Sequence, residues 1–441
     1  MTENNKVTQL LAAVAAMHGH SGYLHTLPTA EQLLMLILVL TIVLVLICTL
    51  SAASLATAWQ LRRFTHGLTY EPTPQMGDLP LTSVIVPCKG DDGTLNENLH
   101  SIVTQRHSNI EFIFVTATDD DPACAALSRL QQQFPQKRIK TVVAGIREHC
   151  SQQNNNQVQG VTATDPDSRV IVIMDSDGRA DAHFVAKLTA PLSNEKVGAV
   201  SGFRWYEPRW SRFADVMRTI WNAGGFTYII NPQSGFVWGG AMAFHRSVYE
   251  QAGIADLWSR TLSDDMTLSR RLRSMGLRLH FAPQCIIVSR QPDSLRSLLS
   301  WTNRQTLVTR FYNRPFWLLA TVFHGCGNVL GWCLLATGVL TLCVGFAGVP
   351  AVATHLALLG GVVWVGHLWL MAALMVNPLN CLLKPQGIAL NRSRWILIAM
   401  APLASLLQGL NSACSLSTRR IHWAGITYEI NSQERMRVLC Q

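Results

Sequence analysis

From Leu33 to Ala58 the chain carries no charged side chain. At a rise of about 1.5 Å per residue, a helix over that stretch is long enough to cross a hydrocarbon core of about 30 Å. Backbone polar groups inside lipid must be satisfied internally, and a single run achieves that only as a helix. The length argues against a cleaved leader, so residues 32–60 read as a transmembrane anchor after an N-terminal tail, 1–31. Two further apolar runs, Phe316–Val344 and Ala351–Val376, fall in a C-terminal membrane region, 315–415. A fourth, Trp395–Leu410, is shorter and contains Pro402. Lys384, Arg392 and Arg394 precede it, and Arg419, Arg420, Arg435 and Arg437 follow it. The positive-inside rule then keeps both of its ends in the cytosol, and a re-entrant or interfacial segment is expected. Arg62 and Arg63 place the segment after the first run on the cytosolic side as well. The compartment stays open: Golgi or ER membrane in a eukaryote, plasma or inner membrane in a bacterium.

Only 14% of the 441 residues are charged, yet the net charge is +9. That basic excess gathers beside the apolar runs and in the last segment, 416–441, read as a cytosolic basic tail, so anionic lipid is the expected partner. No nucleic-acid-binding signature accompanies it, and no nucleic-acid partner is expected. None of the three long runs contains Asp, Glu, Lys or Arg, which counts against a transporter or channel. The 11 cysteines include no C-x-x-C pair, the pattern of reduced structural thiols rather than a zinc site. His18, His20 and His25 lack a fourth ligand and read as solvated tail.

Between residues 80 and 292 short apolar runs alternate with helix-like stretches. Ser83–Val86, Phe112–Val115, Thr141–Ala144, Val170–Met174 and Val197–Ser201 read as buried strands, with helices such as Asn96–Gln105 and Pro122–Phe134 between them. This predicts an α/β domain with a largely parallel sheet covered on both faces, binding its ligand beyond the carboxyl ends of the strands. Lys89–Asp92, Thr118–Asp121 and Asp175–Asp177 follow the first, second and fourth strands and should converge there. No P-loop or GxGxxG motif is present. Phosphates would then be held by basic side chains and by a metal on carboxylates, for which Mg²⁺ or Mn²⁺ suits the oxygen ligands. Asp175 and Asp177 are such a pair, although helix caps and turns also produce Asp-x-Asp. Asp264 and Asp265 open a second helix, whose dipole should keep their pKa low. The stretch 293–314 reads as an interfacial amphipathic helix.

"SVIVPCKGDD" (83–92), "VAGIREHCSQQNNNQVQGV" (143–161), "GGAMAFHR" (239–246), "SDDMTLSRRLRSMGLRL" (263–279), "WTNRQTLVTR" (301–310) and "IHWAGITYEI" (421–430) occur in that order. Together they resemble the family 2 glycosyltransferases, and most closely the ceramide glucosyltransferase branch, family 21. The resemblance implies a cytosolic GT-A domain, a Rossmann-like nucleotide-diphospho-sugar transferase fold, with N- and C-terminal membrane helices. It implies a UDP-sugar donor, a lipid acceptor and inverting transfer, glucose to ceramide first, with diacylglycerol or another membrane lipid as the alternative. Asp92 matches the aspartate that contacts the nucleoside, Asp177 with Asp175 the metal–diphosphate pair, and Asp265, beside Asp264, the general base. Lys89, Arg304 and Arg310 are further donor-binding candidates. Gly239, Gly240 and Trp301 are candidates for the acceptor or sugar pocket. Three positions depart from the pattern: Gln153 stands where relatives carry Lys, Trp301 where the motif opens with Gln or Arg, and Gln305 where the motif after Arg304 carries Trp.

Overall fold

The computed structural model describes residues 29–68, 79–231, 235–290, 292–344, 349–390 and 393–440. His18, His20, His25 and Arg392 lie outside them. The chain divides into two units, one of Leu55–Gly325 with Trp369–Gln441, the other of Met1–Ser54 with Cys326–Leu368.

The larger unit is built on seven strands: β1 (Thr82–Pro87), β2 (Ile110–Thr116), β3 (Arg138–Val143), β4 (Val170–Met174), β5 (Val197–Tyr206), β6 (Ala241–His245) and β7 (Arg278–Ser289). Their spatial order is β3-β2-β1-β4-β6-β5-β7. β1 pairs in parallel with β2 and β4, β2 with β3, and β5 with β7, whereas β6 is antiparallel to both β4 and β5. β1, β2 and β4 are buried at every position, as strands covered on both faces must be. β3 begins earlier than its apolar end suggested, because it is an edge strand whose Arg138, Lys140 and Thr141 face solvent. β6 lies inside the glycine-led motif 239–246, which was not among the strands read from the sequence.

Helix α1 (Ala30–His66) carries the first apolar run. α2 (Leu95–Val103), α3 (Ala123–Gln133), α4 (Gln152–Thr162) and α5 (Phe184–Thr189) follow β1, β2, β3 and β4. α6 (Phe213–Ile229) follows β5, and α7 (Arg246–Gln251), α8 (Ile254–Trp258) and α9 (Asp264–Ser274) separate β6 from β7. Beyond β7 come α10 (Leu295–Tyr312), α11 (Arg314–Ala320), a π-helical turn over Thr321–Gly327, α12 (Asn328–Val344), α13 (Ala351–Leu383) and α14 (Arg394–Ser417). Among the described residues, 4 helical segments are long and apolar enough to cross a membrane: Ala30–His66, Arg314–Val344, Ala351–Gln386 and Arg394–Ser417. The run expected to be re-entrant is thus part of a continuous helix of 24 residues that passes through Pro402.

The segment read as a tail is folded. β8 (Arg420–Trp423), β9 (Ile426–Ser432) and β10 (Arg435–Cys440) form an antiparallel sheet, with Ile421, Ile426, Tyr428, Ile430 and Met436 packed on Leu262, Leu307 and Tyr312. In the smaller unit Trp364 is fully buried, its ring where a Cβ on Gly327 or Gly331 would lie 2.2 Å away, and its Nε1 donates to Asn328 Oδ1 at 3.0 Å. Small residues let helices approach this closely.

Candidate active site

The apolar strand β4 ends at Met174, and the next residue, Asp175, donates its N–H to Gly240 O at 3.0 Å. Gly239 and Gly240 form the turn into β6. A Cβ at Gly240 would lie 2.5 Å from Asp175 Oδ2, and one at Gly239 2.6 Å from Asp264 Oδ2. The turn is thus wedged between the acid that ends β4 and the acid that opens α9, with the Trp238 ring also against Gly240.

Asp264 is buried, and its Oδ2 accepts a hydrogen bond from Gln157 Nε2 at 2.7 Å. Asp265 is half-buried, and its Oδ1 accepts from Met266 N at 2.6 Å and from Ser263 Oγ. Among the described residues no donor reaches its Oδ2, which leaves that atom able to accept a proton. The expected low pKa is overturned. Burial and then Asp265 push Asp264 up to about 7, and burial raises Asp265 against the bonds from Ser263 and Met266. In a buried site desolvation outweighs the helix dipole. Burial and then Asp177 likewise push Asp175 up to about 7.

Asp177 behaves differently. Burial would raise it, but Arg204 outweighs that effect and holds it below the usual carboxylate range. Arg204 NH1 donates to Asp177 Oδ2 at 2.8 Å and NH2 to Asp175 Oδ2 at 3.0 Å, while its guanidinium lies 5.2 Å from the Trp238 ring centroid. Sequence reading missed Arg204, although a signal was there. An arginine within the buried strand run Val197–Trp205 needs an acidic partner, since charged residues are almost never fully buried unpaired.

The asparagine- and glutamine-rich segment forms helix α4, and its amides organise the acids. Gln153 Nε2 donates to Asp175 Oδ1 at 3.2 Å, and one turn on Gln157 serves Asp264. Gln153 thus serves Asp175 as a neutral donor. Asn154 Nδ2 donates to Thr261 O at 2.9 Å and Asn155 Nδ2 to Gly145 O at 2.8 Å, fixing the loops on either side.

Arg304 lies on α10 close enough for Asp175 and Asp177 to act on its charge, and its Cζ sits 4.9 Å from the Trp423 ring centroid. Trp301 packs edge-on against Trp221 at 5.0 Å and Tyr206 at 5.4 Å, beside the end of β5. Asp92 is exposed, and its Oδ1 accepts from Thr94 N at 2.9 Å at the entry to α2. Asp121, from the cluster after β2, joins the β1 loop by accepting from Gly90 N at 2.8 Å. Lys89 is exposed and donates to Ala424 O. Arg310 is not brought to the acids. Its NH1 donates to Ser415 O and Thr418 O at the end of α14, so it caps helix carbonyls.

The oxygen set fits a hard divalent cation. Asp175 and Asp177 present oxygen ligands one residue apart and share the guanidinium of Arg204, and among the described residues no group of three or more His, Cys, Asp or Glu could enclose an ion. Mg²⁺ and Mn²⁺ are commonly held in this way, by one or two carboxylates with substrate phosphates completing the shell.

The sequence model for glycosyl transferase family 21 matches residues 39–436. Ceramide glucosyltransferase 1 of Caenorhabditis elegans is 22% identical over 257 residues, covering 57% of this chain and 52% of that protein. The probable glycosyltransferase YdaM of Bacillus subtilis (strain 168) is 25% identical over 251 residues, covering 52% of this chain and 57% of that one. The chain thus spans about half the length of the curated relatives it matches. Among solved structures, mannosyltransferase PcManGT from Pyrobaculum calidifontis, in complex with GDP-Man and Mn²⁺, has a TM-score of 0.47 at 16% identity, over 84% of this chain and 98% of that one. GalNAc-T7 with UDP, GalNAc and Mn²⁺ has a TM-score of 0.35 at 13% identity, over 54% and 50%.

Proposed function

Because the chain belongs to glycosyl transferase family 21, we propose that it transfers a hexose from a nucleoside-diphosphate sugar to the hydroxyl of a membrane lipid. UDP-glucose is the donor and ceramide the acceptor this reading takes first; diacylglycerol or another membrane lipid is the alternative. The observation that carries it is the convergence of two carboxylate pairs, Asp175/Asp177 and Asp264/Asp265, on the Gly239–Gly240 turn.

The two pairs have different environments and take different roles. Asp265 presents Oδ2, and its raised pKa suits a general base. It takes the proton of the acceptor hydroxyl as that oxygen attacks the anomeric carbon. The bond from that carbon to the diphosphate breaks with its electron pair leaving on the phosphate oxygen, and the configuration inverts. Asp264, pinned by Gln157, fixes the start of α9 and so the position of Asp265. Asp175 and Asp177 would hold Mg²⁺ or Mn²⁺, which when bound offsets the charge that grows on the departing nucleotide. Arg304 offers a planar fork to the same phosphates. Asp92 and Lys89, in the loop after β1, are assigned to the nucleoside side. The sheet domain is assigned to the cytosolic face, where nucleotide sugars are made.

The test uses membranes containing the protein, labelled UDP-glucose, Mg²⁺ or Mn²⁺, and ceramide or diacylglycerol offered separately, with Asp265→Asn alongside. Labelled glycolipid from ceramide, lost in the variant, is the expected result. Label in diacylglycerol alone overturns the acceptor. Absence of product from both lipids and from other UDP-sugars refutes the transferase reading.

A further inference from the structure

Resting on the transferase reading, we propose that the C-terminal sheet is part of the donor site, with Trp423 as the positioning residue that holds Arg304. The β8–β9 hairpin turns at Ala424 and Gly425, with φ of 50° and 80°. Ala424 is the one non-glycine residue with positive φ among those described, and such a backbone persists only where its surroundings enforce it. The residue before the turn, Trp423, pairs with Ile426 and lays its indole against the Arg304 guanidinium at 4.9 Å. At the tip, Ala424 O accepts from Lys89 Nζ in the loop after β1.

The rest of the sheet touches the other segments that carry the site. Tyr428 Oη accepts from Gln152 N at 3.3 Å, one residue before Gln153, which bonds Asp175. Val438 N donates to Glu148 O at 3.0 Å in the loop leading to α4. Ile421, Ile426 and Tyr428 pack on Leu262, immediately before Ser263, Asp264 and Asp265. A sheet of three strands therefore contacts the segments bearing Lys89, Gln153, Asp265 and Arg304.

Arg304 needs such a partner. Burial weighs most against its charge, Tyr206, Asp175 and Asp177 favour it and Arg218 opposes it, yet among the described residues it makes no hydrogen bond to a carboxylate that would fix its plane. An aromatic face fixes the plane of a guanidinium by cation–π attraction while leaving its N–H edges free for phosphate oxygens. The indole against Arg304 comes from the far end of the chain.

The experiment measures UDP binding by calorimetry in the presence of Mn²⁺, and donor KM and kcat, on detergent-purified full-length protein. Trp423→Leu removes the π face and should weaken UDP binding and raise donor KM about tenfold, with acceptor KM unchanged. Trp423→Phe should recover most of the loss. With Arg304→Gln already present, Trp423→Leu should add nothing further. Equal UDP affinity in wild type and Trp423→Leu, or additive losses in the double variant, overturns the inference while leaving the transferase reading intact. Wild-type protein that binds no UDP overturns both. Should Trp423→Leu not fold, the series Trp, Tyr, Phe decides: affinity falling in that order supports the role, and equal affinities overturn it.

Discussion

Gly239→Ala tests whether the position of Asp264 governs the chemistry. The added Cβ would lie 2.6 Å from Asp264 Oδ2, 3.0 Å from Oδ1 and 3.1 Å from Cγ. Ordinary contact begins at 3.4 Å, so carboxylate and turn must separate by about 0.8 Å (3.4 − 2.6). Asp264 cannot simply step aside. Gln157 Nε2 holds its side chain at 2.7 Å, and its carbonyl accepts from Trp258 Nε1 and Thr267 Oγ1, both at 3.1 Å. Overpacking of this kind costs about 1–3 kcal/mol, which lowers the melting temperature without unfolding the protein at 25 °C. A displacement approaching 1 Å at a reacting centre lowers turnover about 100-fold. Initial rates of glycolipid formation should therefore fall about 100-fold in kcat, while UDP affinity with Mn²⁺ changes little, because Asp175 and Asp177 are untouched. Gly224→Ala is the control. It sits exposed on α6 with no heavy atom within 4 Å of the added Cβ, so it should keep full activity and gain about 0.5–1 kcal/mol of stability. Folded Gly239→Ala protein with wild-type turnover would refute the link between this turn, Asp264 and the base.

Arg204→Met leaves Asp175 and Asp177 without their guanidinium. It should destabilise by less than the about 3–5 kcal/mol of a fully buried pair, since Asp177 is 45% exposed, and Mn²⁺ should restore more of the melting temperature than it adds to wild type. The native pKa values of Asp175 and Asp264 are raised from 3.8 to about 7, so the folded state binds more protons than the unfolded one between those values. Stability of the metal-free protein should then fall as pH rises through that window, and chelator should depress the melting temperature more at pH ~8 than at pH ~5. Arg310→Ala removes the cap from the α14 carbonyls and should lower the melting temperature with donor KM unchanged; a raised donor KM would return Arg310 to the donor site.

The strands legible in sequence were those buried on both faces, because continuous apolar runs such as Val170–Met174 have no other economical fate. β3 was legible only at its apolar end, since an edge strand answers to solvent along its length. β9 carried a clear period-two signal, Ile426, Tyr428 and Ile430 inward, but basic flanks and its place after the membrane segments disguised it as tail. Each acid was legible through its place after a strand or at a helix start. Their partners were not, because Arg204 and Gln157 meet them only through the antiparallel insertion of β6 and the face of α4, just as Trp423 meets Arg304 only through the return of the C-terminus. Arg310 shows the reverse error: six residues beyond Arg304, it points from a different side of α10 to the end of α14.

The layer formed by α6, α10, α11 and α14 is the part of the fold that bears on the proposed lipid acceptor. α14 turns its polar residues inward. Thr302 Oγ1 donates to Asn411 Oδ1 at 3.3 Å, Trp317 Nε1 donates to Ser415 Oγ at 3.0 Å, and His324 Nδ1 bonds Ser405 Oγ at 2.9 Å. Its outward residues include exposed Trp395, Leu403, Leu410 and Leu416, joined by exposed Leu295 and Leu299 of α10 and Leu318 and Leu319 of α11. A helix facing water has the opposite arrangement. Apolar residues outward and hydrogen bonds between helices inward suit hydrocarbon surroundings. α10 packs directly on α14 and carries both Arg304, proposed for the donor site, and the exposed Leu295 and Leu299. Extracting a two-tailed lipid from the bilayer costs about 0.8 kcal/mol per CH₂. In the reaction proposed above the acceptor therefore stays in the membrane, and only its hydroxyl leaves the lipid layer to reach Asp265.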